Sequence, residues 1–171
     1  MKYTSSEANK LLRKLNEDRT ALLEMEERSS TFLAAMGEDP ESLRPEYDYQ
    51  ETQRALEELD RKIRIVKHAI NGFNLQCVVP EFQMTIDQML VYIPQLTARK
   101  QKLAQMKSRL PKQREMSSLY GHTSGNIIDY NYANYDIKAA EADYDAVSDE
   151  LARAQTALDV LNNTETMEIT I

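Results

Sequence analysis

Tryptophan is absent from this chain, and its 171 residues include only one cysteine, four glycines and five prolines. A lone cysteine excludes an internal disulfide, so Cys77 reads as a buried thiol in a reducing compartment. The scarcity of glycine and proline argues against a loop-rich architecture and favours long helices. No run approaches the roughly 20 apolar residues that a membrane span requires, and Met1 to Glu7 carries no apolar stretch of a secretory leader. The expectation is a cytoplasmic chain. A basic surplus is lacking too, the net charge being −7, which argues against general binding of polyanions.

Motifs of catalysis are missing as well. The two histidines, His68 and His122, belong to no HExxH or ExxH pattern, so zinc-protease and di-iron readings lack their ligands. There is no P-loop, GxGxxG or GxSxG. The stretch from Asp129 to Asp136 has the oxygen-rich look of a calcium loop, but Ala133 and Asn134 stand at its fifth and sixth positions, where a ligand and a glycine belong. The sequence therefore predicts no catalytic residue, no metal and no cofactor.

What is present is helical periodicity. With 42% hydrophobic and 29% charged residues, the chain can form one domain over 1–171 without a staple. Ala8, Leu11, Leu15, Leu22, Met25, Phe32 and Met36 recur at three-four spacing, predicting a helix over about 5–36, capped by Thr4, Ser5 or Ser6 and ended by Gly37 and Pro40. Tyr49, Thr52, Leu56, Leu59, Ile63, Val66, Ile70 and Phe73 predict a second helix over about 48–74, its antiparallel neighbour. Thr85 caps a third over about 86–110, its apolar face running from Ile86 to Leu110, with a kink expected at Pro94. Ile137, Ala140, Tyr144, Val147, Leu151, Ala154, Leu158 and Leu161 predict a fourth over about 136–161.

Two segments alternate with period two and read as short strands, about 127–132 and 166–171, paired with each other; Lys112 to Gly125 has the composition of a mobile loop. The fold expected is mainly α: an antiparallel four-helix bundle of long amphipathic helices with a small two-stranded β element near the C-terminus.

Two groups of residues are candidates for interaction. Arg99, Lys100, Lys102, Lys107, Arg109, Lys112 and Arg114 follow one another without an intervening acid. They suit phosphates of nucleic acid, with Tyr120, Tyr130 and Tyr132 as stacking groups, or an anionic membrane. Equally, they suit the acidic fourth helix, which carries Asp136, Glu141, Asp143, Asp145, Asp149, Glu150 and Asp159. Asn71 and Asn74, one turn apart, either terminate the second helix or form a buried amide network that fixes register.

The stretches Ala69-Ile-Asn-Gly-Phe-Asn74, Thr85-Ile-Asp-Gln-Met-Leu90 and Leu151 to Ile171, with its Asn-Asn-Thr turn, resemble the septicolysin-like family of small bacterial helical proteins. The resemblance runs from about Leu56 to the C-terminus. It implies a pore-forming activity and transfers no catalytic residue. The apolar stripes exceed one seam through Leu12, Leu23, Leu33, Leu90 and Tyr92, so the function expected is a non-enzymatic, homo-oligomerising structural or protein-interaction module of a bacterium or phage. A membrane-active protein and a nucleic-acid-binding accessory are the alternatives.

Overall fold

A computed structural model describes residues 1–114 and 130–171. In chain order the elements are β1 (Lys2–Thr4), α1 (Ser5–Ser29), α2 (Pro40–Leu43), α3 (Tyr49–Gln76), β2 (Val78–Val79), β3 (Met84–Thr85), α4 (Ile86–Lys107), β4 (Lys112–Arg114), β5 (Tyr130–Tyr132), α5 (Ile137–Thr164) and β6 (Thr166–Glu168). The protein is mainly α-helical with small antiparallel strand pairs. Four long helices fall where the periodicity predicts them, and a fifth, the single-turn α2, was not predicted. Contacts divide the chain into two compact units, one of Met1–Val78 with Asp159–Ile171 and one of Val79–Leu158.

Helix starts follow side-chain chemistry. The Thr4 hydroxyl accepts from the Glu7 amide at 3.2 Å while the Thr4 amide donates to Glu7 Oε2 at 2.8 Å, a reciprocal box that satisfies two otherwise orphaned donors. Thr85 and Gln88 repeat it at the start of α4, and the Asp48 carboxylate caps α3 through the Glu51 amide at 3.0 Å. Helix α1 stops at Ser29, not near residue 36. Ser29, Ser30 and Thr31 have low helix propensity, and the Ser30 amide closes the last turn on the Glu26 carbonyl at 2.8 Å. The third helix likewise ends at Lys107, short of 110, whereas α3 and α5 run two and three residues beyond expectation, to Gln76 and Thr164.

In the first unit α1 and α3 are antiparallel, because partners ascend α3 as they descend α1: Glu26 with Gln53, then Arg19 with Asp60. Ala8, Leu15, Val66, Ile70, Met167 and Ile169 form the core, with Leu11, Leu12, Leu59, Ile63 and Phe73 packed against it. Each fully buried aliphatic side chain of this kind contributes about 1.5–3 kcal/mol. The core is closed by β1 and β6, antiparallel with Lys2 opposite Glu168 and Thr4 opposite Thr166.

That pairing corrects an expectation. The 166–171 strand pairs with Lys2–Thr4, not with the 127–132 segment, and the described part of the latter, β5, pairs with β4. Ile127, Ile128 and Asp129 lie outside the described residues, as does most of the predicted loop to Gly125. The physical reason is that each strand has a nearer partner. Lys2–Thr4 is brought beside the C-terminal segment by α1, and β4 faces β5 across one connection.

In the second unit α4 and α5 are joined side chain to side chain. The Tyr92 hydroxyl donates to Glu150 Oε1, the Tyr135 hydroxyl donates to the Met106 carbonyl at 2.8 Å, and Arg153 pairs with Glu81, just before α4, at 3.2 Å. Ile86, Met89, Leu96 and Leu103 on α4, and Ala140, Val147, Leu151, Ala154 and Leu158 on α5, are buried as their spacing predicts. Helix α4 continues through Pro94.

Candidate functional site

The basic tract leads from α4 into a β-hairpin whose make-up explains its geometry. Pro111 cannot continue the helix, and the chain turns into β4, where Lys112 stands opposite Tyr132, Gln113 opposite Asn131 and Arg114 opposite Tyr130. Because strand side chains alternate, Lys112, Arg114, Tyr130 and Tyr132 share one face. The Ala133 amide closes the hairpin base on the Pro111 carbonyl at 3.1 Å.

Tyrosines receive three of the tract's seven cations. Lys112 Nζ lies 4.0 Å from the centre of the Tyr130 ring and 5.4 Å from that of Tyr132. On α5, Tyr144 receives Lys107 at 3.7 Å and Lys100 at 5.6 Å. Such contacts contribute about 0.5–1 kcal/mol at exposed sites and leave the positive charge in place. Among the described residues no ion pair within 4 Å links the tract to the acids of α5; complementation of that helix takes the form of lysine on tyrosine.

Beside the hairpin, Arg109, Pro111, Ala133, Tyr135, Asp136 and Lys138 border a cavity of about 420 Å³. Two of its polar groups are already engaged, Tyr135 on the Met106 carbonyl and Asp136 on the Lys138 amide at 2.9 Å. Asp136, the last acid of the calcium-like stretch, is thus a helix cap.

Asn71 and Asn74 are placed within α3, since the helix runs past both to Gln76 and is capped at Cys77. Asn71 is exposed; Asn74 Oδ1 is buried without a hydrogen-bond partner among the described residues. On α5, Asn163 donates to the Asp159 carbonyl at 2.7 Å and accepts from Ser6 at 2.9 Å. Burial, and secondarily the Glu165 carboxylate, push the Cys77 thiol above its ordinary pKa and keep it protonated.

A further surface, in the first unit, lies in the connection from α1 to α3. Phe32, Leu33, Met36 and Leu43 are exposed there, Leu33 at 96%. The connection folds back on itself: the Arg44 guanidinium covers the Phe32 ring at 5.5 Å and pairs with Glu41 at 2.5 Å. Tyr47 anchors its end by donating to Glu26 Oε1 at 2.8 Å, and desolvation together with that carboxylate pushes its pKa up to about 12.

The structure therefore brings together Lys107, Arg109, Lys112, Arg114, Tyr130 and Tyr132 at one end of α4, with Arg99, Lys100 and Lys102 along the helix. Tyr120 and His122 lie outside the described residues. Tyr144 and the acidic apolar connection were missed as surface features. The first reads as one more stripe position, and the second is half hidden in a stripe that carries the expected helix seven residues past Ser29, to Met36. Leu12 and Tyr92, counted as surplus apolar surface, are half-buried, whereas Leu23, Leu33 and Leu90 are exposed.

Among the described residues no group of three or more His, Cys, Asp or Glu is placed to hold a metal ion, and no helix is long and apolar enough to cross a membrane. No family model matches the chain, and no curated protein matches it. Among solved structures it is similar to a functionally unknown conserved protein from Corynebacterium diphtheriae, with a TM-score of 0.60 and 16% identity over 98% of this chain and 100% of that one. At that identity the likeness shows the fold: a mainly helical protein with short strand pairs.

Proposed function

We propose that this protein is a non-enzymatic interaction module that acts by self-association. The observation that carries this reading is the water-exposed apolar set of the α1–α3 connection, Phe32, Leu33, Met36 and Leu43. Apolar area left in water forgoes about 25 cal/mol per Å² that burial would recover. Single exposed leucines are ordinary, but four large apolar side chains within one short, folded-back connection make a candidate contact surface. Further exposed apolar residues, Leu23 on α1 and Leu90 and Val91 on α4, extend the supply of such surface. Light scattering on the full chain across micromolar concentrations tests the reading. A mass that rises above 19.7 kDa with concentration supports it, and a mass fixed at that value throughout overturns it.

A further inference from the structure

The apolar connection is not neutral. Between residues 31 and 51 it carries Glu38, Asp39, Glu41, Glu46, Asp48 and Glu51 against a single cation, Arg44, which Glu41 already pairs. The 99–114 tract has the opposite character, with seven cations and no acid. It too presents apolar surface, since Leu110 is 61% exposed and Tyr132 is 65% exposed. Each surface thus combines uncovered apolar area with charge of one sign, and the signs are opposite.

Resting on the self-association reading, we infer that the partner of the acidic 31–51 connection is the basic 99–114 tract of a second copy of this chain. The reasoning is electrostatic and apolar together. Charge complementarity across an interface selects register and speeds encounter, while burial of Leu33 and Met36 against the Leu110 and Tyr132 region supplies the cohesive term. The lysines that rest on Tyr130 and Tyr144 keep their charge and therefore still attract carboxylates. A contact between two different patches of the same chain is heterologous, so each copy offers one free patch of each kind to the next.

Charge reversal on either side, followed by mixing, tests this directly. One variant carries Glu38→Lys and Glu46→Lys; the other carries Lys102→Glu, Arg109→Glu and Arg114→Glu. All five positions are exposed. In the first variant the connection is left with four acids against three cations, and in the second the tract is left with four cations against three acids, so each variant has lost the charge contrast of one patch and alone self-associates roughly tenfold or more weakly than the natural chain. Their equimolar mixture restores pairwise association, because the unaltered tract of the first variant then meets the unaltered connection of the second. Association of the natural chain also weakens as salt rises, through screening.

Circular dichroism and the urea midpoint establish that each variant is folded, and single Arg114→Glu and Glu46→Lys variants serve where a multiple variant is not. A natural chain that stays monomeric at every concentration overturns both the reading and this inference. A natural chain that associates while the reversed variants associate equally well, or whose mixture fails to recover, overturns the inference alone. So does a labelled single-stranded oligonucleotide that occupies the tract while the natural chain stays associated.

Discussion

Tyr3 stands directly opposite Met167 in the antiparallel pair of β1 and β6, and Met167 is only 7% exposed, packed in the core with Ala8, Val66 and Ile70. The first and last strands of the chain are therefore joined to the α1–α3 pair by a buried side chain as well as by backbone bonds. Met167→Ala removes most of that side chain and leaves a void its neighbours fill only in part. The expected loss is about 2–5 kcal/mol of unfolding free energy, read as a lowered urea midpoint with an unchanged slope. Substitution of Met167 by Leu, which conserves volume, is expected to cost less than about 1.5 kcal/mol.

The start of α4 offers a more local measurement. Thr85 and Gln88 each satisfy the other's orphan amide, at 3.3 and 2.9 Å. Thr85→Ala deletes the hydroxyl and is expected to destabilise the protein by about 1 kcal/mol, whereas Thr85→Ser, which keeps an acceptor at the same place, costs a few tenths. Thermal or urea denaturation of the two variants side by side checks the ordering; equal midpoints for Ala and the natural chain would remove the cap from the account.

Much of this was legible in the residues before any coordinates. Thr85 announced its helix because a hydroxyl ahead of an apolar-periodic run has one favourable use, and the Val66 to Ile70 spacing announced a buried face. The strand partners were not legible, for register between three-residue strands is set by where helices deliver them, and Lys2–Thr4 has too little pattern to mark it. Nor was the stop at Ser29: the stripe resumes at Phe32 and Met36 in the same phase, and only the low propensity of Ser29, Ser30 and Thr31 signals the break. The candidate site divides in the same way. Contiguous cations are visible as a string, but their seats on Tyr144 and Tyr130 depend on tertiary placement, and the acid partners proposed for them here stand in another part of the chain.

Tyr47 should report on the end of the α1–α3 connection. Desolvation first, then the hydrogen bond to Glu26, raise its pKa from 10.0 to about 12. A group whose folded pKa is raised favours the native state below its unfolded pKa, and that contribution fades as pH climbs from 10.0 through about 12. Absorbance titration of tyrosinate is expected to show a late component that Tyr47→Phe removes. Tyr92, raised by its hydrogen bond to Glu150, also titrates late and is unaffected by that change. A titration identical in the natural and Tyr47→Phe proteins would mean that the hydroxyl does not hold Glu26 in solution.

Leu33 separates stability from association. Its side chain is 96% exposed and Met36 is fully so, which means that neither contributes packing to the folded chain. Leu33→Ser together with Met36→Ser should therefore leave the urea midpoint close to that of the natural protein, within about 0.5 kcal/mol. The same double substitution takes away two of the four apolar side chains proposed as the contact, so light scattering should show the rise in mass displaced to higher concentration. A Val66→Ala control must behave in the opposite manner, losing about 0.5–2 kcal/mol of stability because Val66 is wholly buried, while its association, measured where the protein is folded, is retained. If the serine variant instead unfolds early, or associates as the natural chain does, the exposed connection is not the contact surface and self-association must be sought elsewhere on the molecule.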